Sequence, residues 1–210
     1  AWRRSDLLPG AIALPTDVDV TTSEAWRAGH LEVQDLGSQL VLAAAGIAPG
    51  GHWLDACAGA GGKTLQLARL LGDAGQVDAY DPRAGALQEL RRRADRAQAV
   101  CRPLAPGDRR SPEESATARQ RAAGSGFAAI ALLASPPTGS YDGVLVDAPC
   151  SGSGTWRRAP HLKWTTTPAH VARAAEKQLA LLDAMGARVG PGGRLVYATC
   201  SLSPRENEDV

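Results

Sequence analysis

Two cysteines stand in short polar segments that each follow an apolar run. Cys150 lies in Asp147-Ala148-Pro149-Cys150-Ser151-Gly152-Ser153-Gly154, after the strand-like stretch Tyr141 to Asp147. Cys200 lies in Tyr197-Ala198-Thr199-Cys200-Ser201, after the strand-like stretch Gly193 to Tyr197. Pro149 disfavours helical backbone at Ala148, so the chain leaves its strand extended. It thereby carries Asp147 and Cys150 toward the crevice beyond the strand ends, where α/β proteins bind ligands. A single free cysteine usually packs as a small apolar residue. Two of them at matching strand ends, with a carboxylate nearby, point instead to thiol chemistry on a shared substrate. The four cysteines are 57, 101, 150 and 200, with no Cys-x-x-Cys pair, so the spacing predicts neither a metal site nor a disulfide framework.

A third segment carries binding rather than reaction chemistry. Leu54-Asp55-Ala56-Cys57-Ala58-Gly59-Ala60-Gly61-Gly62-Lys63-Thr64 runs from a short strand into a helix. Its small residues let a ligand approach the backbone and present amide N–H groups at a helix N-terminus. Asp81 follows the last glycine by about 20 residues, at the end of a second strand, where a carboxylate can accept hydrogen bonds from ribose hydroxyls. A nucleotide-like cofactor fits this pair. The glycine and lysine spacing does not match a phosphate-binding P-loop, which argues against ATP hydrolysis.

The elements that must position these groups alternate along the chain. Helical spacing covers Asp35 to Ala45, strand character Trp53 to Asp55, a helix Lys63 to Leu71, a strand Gln76 to Tyr80 and a helix Ala84 to Ala97. After Tyr141 to Asp147, Thr167 and Pro168 open a further helix, with Val171, Leu179, Leu182, Met185 and Val189 as its apolar stripe and Gly190 as its stop. This alternation predicts an α/β fold, a mostly parallel sheet with helices on both faces. Residues 1–28 read as a linker or the remnant of an upstream region, and residues 29–210 as the functional domain. Within that domain about 102–140 reads as an irregular insertion. Ser203-Pro204 signals one more helix, and the closing strands of the sheet are expected to lie beyond this chain.

Composition narrows the function. Lys plus Arg is 23 and Asp plus Glu is 22, a net charge of +1, which excludes a general polyelectrolyte binder. No apolar run reaches the length of a membrane span and no leader pattern opens the chain, so a cytoplasmic protein is expected. Basic character is local: Ala148 to Ala175 holds no acid but contains Arg157, Arg158, Lys163 and Arg173, interleaved with Trp156 and Trp164. Cations beside aromatic rings suit phosphate contact and base stacking on unpaired RNA. A solvated basic face is the bland alternative.

Taken together, these motifs resemble the Sun/Fmu family of RNA cytosine-5 methyltransferases, and within it the RsmB-like bacterial small-subunit rRNA enzymes. The resemblance runs from Gly29-His30-Leu31-Glu32-Val33-Gln34-Asp35 through Ser203-Pro204-Arg205-Glu206-Asn207. It rests on Asp55, Cys57, Ala58, Gly61, Gly62, Lys63 and Thr64, on Asp147-Ala148-Pro149-Cys150-Ser151-Gly152, and on Thr199-Cys200-Ser201. Arg157-Arg158-Ala159-Pro160 and Lys163-Trp164 add the linking segment. Gly59-Ala60 departs from the family's alanine-proline, which should loosen the loop.

The resemblance implies a Rossmann-like S-adenosylmethionine-dependent methyltransferase fold. It implies Cys200 as the nucleophile, Cys150 as the group assisting release and Asp147 as the acid at the base. It places the cofactor at Cys57, Ala58, Gly59, Ala60, Gly61, Gly62, Lys63, Asp81, Asp108 and Asp147. RNA contact falls to Arg157, Arg158, Lys163 and Trp164, with rRNA favoured over tRNA, and the protein is expected to be a monomer without metal. Two alternatives stay open: a DNA cytosine-5 methyltransferase using Cys150, and a non-catalytic RNA-binding or assembly module that keeps the fold. A nicotinamide dehydrogenase is a weaker third, because it leaves both cysteine motifs without a purpose.

Overall fold

The computed structural model describes residues 2–15, 17–104 and 112–210. In chain order its elements are β1 (Arg3–Arg4), β2 (Ile12–Ala13), α1 (Glu24–Arg27), α2 (Leu36–Ala44), β3 (His52–Asp55), α3 (Gly62–Leu71), β4 (Gln76–Ala79) and α4 (Ala84–Arg96). Then follow β5 (Cys101–Leu104), α5 (Pro112–Ala122), β6 (Ala129–Leu133), β7 (Tyr141–Asp147), α6 (Leu162–Thr165), α7 (Pro168–Gly186) and β8 (Val189–Ala198). They divide into two compact units, one of Ala1–Gly51 with Ala58–Ser135 and the other of His52–Cys57 with Pro136–Val210.

In the first unit β4 and β5 both pair in parallel with β6, in register Val77↔Ile130 and Cys101↔Ile130. Every residue of β4 and β6 is buried, the expected state of parallel strands covered on both faces. Leu65, Leu67, Ala68 and Leu71 give α3 its buried face, and Leu90 and Ala94 that of α4. Asp35 caps α2 by accepting the amide of Gly37 at 3.0 Å. Arg96 fastens the segment before α2, donating to Glu32 at 2.5 Å with its guanidinium 4.0 Å from the Trp26 ring.

Two stretches hold regular elements that periodicity did not mark. Residues 1–28 carry a two-stranded antiparallel ribbon, Arg3 opposite Ala13, and the short α1 capped by Ser23. The stretch 102–140, expected to be irregular, supplies β5, α5 and β6. Alanine is the physical reason. Helix α5 packs through Ala118 and Ala122 onto Ala129, so no stripe of large apolar residues marks it. Pro103 disguises β5 in turn; among the described residues β5 stands at the end of the strand order, where proline is tolerated.

In the second unit β7 is the middle strand. It pairs in parallel with β3, Leu54 opposite Val144, and with β8, Val146 opposite Tyr197. Asp147 and Ala198, the last residues of their strands, are partners in that register. The two cysteine segments therefore leave the sheet side by side. Thr167 caps α7, accepting the His170 amide at 3.2 Å, and Pro168 occupies the first turn as expected. The helix ends at Gly186 rather than Gly190; Gly190 through Gly193 belong to β8, where the register with β7 shifts between Tyr141 and Gly143. Its buried face also differs, comprising Ala174, Gln178 and Met185, while Leu179 stays 49% exposed. Ser203-Pro204 opens only a single 3-10 turn, Pro204–Glu206.

Candidate active site

The second unit brings the two thiols together. The sulfurs of Cys150 and Cys200 lie 3.1 Å apart, with Cys150 half-buried and Cys200 exposed. The hydrogen bond to Cys200, then burial, then the charge that Cys200 can carry all raise the Cys150 thiol above the ordinary range. The two thiols thus share one hydrogen bond, and Cys150 holds its proton more firmly than an ordinary thiol. Aligned strand ends set this geometry, and the backbone between the loops reinforces it: the Gly154 amide donates to the Cys200 carbonyl at 2.9 Å. Only glycine allows that approach, since a Cβ at 154 would stand 2.6 Å from the same carbonyl oxygen. Asp147 ends β7 in the same unit, half-buried.

Beneath the cysteines lies a polar cluster that the sequence reading missed. The Glu206 carboxylate is fully buried and accepts from the Ser151 amide at 2.7 Å, the Ser151 hydroxyl, the Ser201 hydroxyl at 2.5 Å and the Gln178 amide at 3.2 Å. Burial alone would raise its pKa; the donors from Ser151, Ser201 and Gln178 outweigh burial and hold it below the usual carboxylate range. It therefore stays ionised until the pH falls through that lowered value, and the stability it contributes, full above the ordinary carboxylate range, is lost progressively as the pH falls from that range through the lowered value. Burial also pushes the neighbouring Tyr197 phenol up to about 12, and its hydroxyl donates to the Glu206 carbonyl at 2.8 Å. One signal for this cluster was in the sequence: Gln178 occupies a position on α7 that helical spacing assigns to the buried face.

The first unit holds the glycine loop from Ala58 onward, with Cys57 ending the preceding stretch of the second unit. The loop is fastened rather than loose. The Ala58 amide donates to the Tyr80 carbonyl at 3.0 Å, the Gly59 amide to Asp81 at 2.9 Å, and Arg93 to the Ala60 carbonyl at 2.8 Å. Gly61 turns the chain into α3 at a φ of +87°, against the side chain of Leu90, so both backbone and space demand glycine. Gly62 starts α3, and Lys63 reaches Ser38 at 2.6 Å. Hydrogen bonds from Arg83 lower the Asp81 carboxyl, against the opposing effect of burial, with the Arg83 and Gly59 amides adding to them.

Arg157, Arg158, Lys163 and Trp164 are all on the surface of the second unit. Trp164 is 81% exposed, with the Lys163 ammonium 5.6 Å from its ring. Asp108 lies outside the described residues. Among the described residues no group of three or more His, Cys, Asp or Glu is placed to hold a metal ion. Nor is any helix among them long and apolar enough to cross a membrane.

Known proteins are similar to this chain over most of its length. A ribosomal RNA small subunit methyltransferase B of Vibrio cholerae is 35% identical over 201 residues, which cover 94% of this chain and 40% of that protein. A probable ribosomal RNA small subunit methyltransferase B of Synechocystis is 35% identical over 189 residues, covering 90% and 38%. The chain thus spans about two fifths of the length of these curated relatives. Among solved structures, a methyltransferase homolog protein from Pyrococcus horikoshii superposes on all of this chain and 59% of its own, with a TM-score of 0.74 and 26% identity. The fold is accordingly the Rossmann-like α/β fold of S-adenosylmethionine-dependent methyltransferases.

The first unit fits that cofactor. A cavity of about 410 Å³ lies beside Asp81, lined by Tyr80, Pro82, Leu87, Leu104 and Leu132 among others. Its apolar walls suit a purine ring; the Asp81 carboxylate at its edge is buried and engaged by Arg83 and the Gly59 amide, so ribose hydroxyls would have to share or displace those donors. The ribose role that the resemblance implies for Asp81 predicts that Asp81→Ala weakens S-adenosylmethionine binding about tenfold or more by calorimetry, with the Gly59 amide released as well. Unchanged affinity would move the ribose elsewhere. The family model for the 16S rRNA methyltransferase RsmB/F matches residues 44–210, the span that carries both cysteine loops and the glycine loop, and the chain belongs to that family.

Proposed function

We propose that this chain transfers a methyl group from S-adenosylmethionine to carbon 5 of cytosine in RNA, through a covalent cysteine adduct. Small-subunit rRNA is favoured over tRNA, and the enzyme works in the cytoplasm as a monomer, with residues 29–210 as its catalytic domain. The observation that carries this reading is the 3.1 Å approach of Cys150 and Cys200 at aligned strand ends. Cytosine carbon 5 is a poor nucleophile until a thiolate adds to carbon 6 and makes the ring an enamine. Cys200, exposed and within hydrogen-bond distance of the Cys150 thiol, suits that addition. Asp147 suits a hydrogen bond or proton delivered to ring nitrogen 3 as the adduct forms, which tightens as charge develops. The cofactor supplies the methyl group as an electrophile at a sulfonium sulfur.

After methylation carbon 5 carries both a methyl group and a hydrogen. Removal of that proton and return of the carbon 6–sulfur electron pair to Cys200 restore the aromatic ring. Cys150 is the nearest candidate for this step. Arg157, Arg158 and Lys163 suit phosphate contact around a splayed nucleotide, and Trp164 suits stacking. Mass-spectrometric mapping of 5-methylcytosine tests the assignment. Cells lacking the gene should lose the modification at one or a few positions of small-subunit rRNA and regain it on complementation; an unaltered rRNA pattern with a lost tRNA or DNA mark would overturn the substrate.

A further inference from the structure

We infer that Glu206 is a positioning residue that clamps the loops of Cys150 and Cys200 at a fixed separation. The inference rests on the proposed reading that both cysteines work on one base. The carboxylate shares four donors between its oxygens. Oε1 accepts from the Ser151 amide at 2.7 Å and the Gln178 amide at 3.2 Å, and Oε2 from the Ser201 hydroxyl at 2.5 Å and the Ser151 hydroxyl. Ser151 and Ser201 each directly follow a cysteine. Gln178 extends the hold to the other side of Cys150 by donating to the Pro149 carbonyl at 2.9 Å.

Glu206 is itself pinned. Its carbonyl accepts the Tyr197 hydroxyl at 2.8 Å, and the Asn207 side chain donates to the carbonyls of Ser201 at 3.1 Å and Ser203 at 2.9 Å. A buried carboxylate is costly unless its donors compensate, and compensation here requires both serine loops in place at once. A core acid that merely needed partners could draw them from one loop. This one joins two segments about 50 residues apart in the chain through the residue next to each thiol.

The test reads the thiols without RNA or cofactor. Glu206→Gln and Ser201→Ala would be made in the full chain and alkylated with iodoacetamide, with rates mapped to each cysteine by mass spectrometry. Cys57 and Cys101 serve as internal references. A loosened clamp relieves the contact that keeps Cys150 protonated, so its rate relative to Cys57 should rise roughly fivefold or more in Glu206→Gln and less in Ser201→Ala. In a methylation assay kcat should fall while KM for S-adenosylmethionine holds. A purely structural role would shift all four cysteines together, or lower the melting temperature and leave the ratio alone. That result overturns the inference, and Ser201→Ala decides it if Glu206→Gln does not fold. Because alkylation needs no methyl transfer, a failure of the methyltransferase reading leaves the clamp result standing, and the reverse.

Discussion

Cys200→Ala should lower methyl transfer to RNA by at least about 10⁴-fold while leaving S-adenosylmethionine affinity within about twofold. The size follows from the chemistry: without a thiolate at carbon 6 the ring has no enamine to offer, and orientation alone does not replace a covalent step. The specificity follows from the structure. Cys200 is exposed, so truncation opens no cavity in the core, and the Gly154 bond it makes is through its backbone carbonyl and survives. Single-turnover assays with cytosine-containing RNA, paired with calorimetry for the cofactor, separate the two effects. Undiminished turnover in this variant would discard Cys200 as nucleophile and return weight to Cys150 in that role, the arrangement expected of a DNA enzyme.

The thiol pair was legible in the sequence because three local signals agreed. Tyr141 to Asp147 is a continuous strand pattern whose bounds the structure reproduces, Pro149 marks the exit, and Thr199 to Ser201 repeats the arrangement one strand over. Register then did the rest, since pairing Asp147 with Ala198 leaves the sulfurs no distant place to go. The shape of the glycine loop was legible for a similar reason, because glycine at a positive φ and an acid at the next strand end are both local features. What stayed hidden depended on contacts between segments far apart in the chain. Glu206 read as part of a helix start, and its real environment is set by Ser151 and Gln178 from distant segments together with Ser201 five residues before it. Leu179 was assigned to the core and Gln178 ignored, although the helix turns Gln178 inward to serve Pro149 and Glu206. Periodicity ranks residues by apolarity and so passes over a buried amide. The same bias hid α5, whose packing is carried by alanines.

Cys150→Ala should accumulate a covalent RNA adduct, visible as a slowly migrating band on a denaturing gel and absent from the Cys200→Ala variant. The expectation comes from how the pair changes during the proposed reaction. In the free enzyme Cys150 is held protonated by its hydrogen bond to Cys200, by burial and by the charge Cys200 can carry. Once Cys200 is bonded to carbon 6 it is a thioether, with no charge and little capacity to accept a proton, so two of those three causes vanish and burial alone remains. Cys150 then becomes easier to ionise at the stage that needs a base. Having released its proton to solvent, it takes the proton from carbon 5, the carbon 6–sulfur bond breaks, and its electrons return to Cys200. The products are a thiol at 150 and a thiolate at 200, the state from which the cycle began. Alanine cannot take the proton, so methylated RNA should stay attached and the adduct should contain 5-methylcytosine joined to Cys200. An adduct that fails to form, or one mapped by peptide mass to a residue other than Cys200, would reverse the assignment of the two sulfurs.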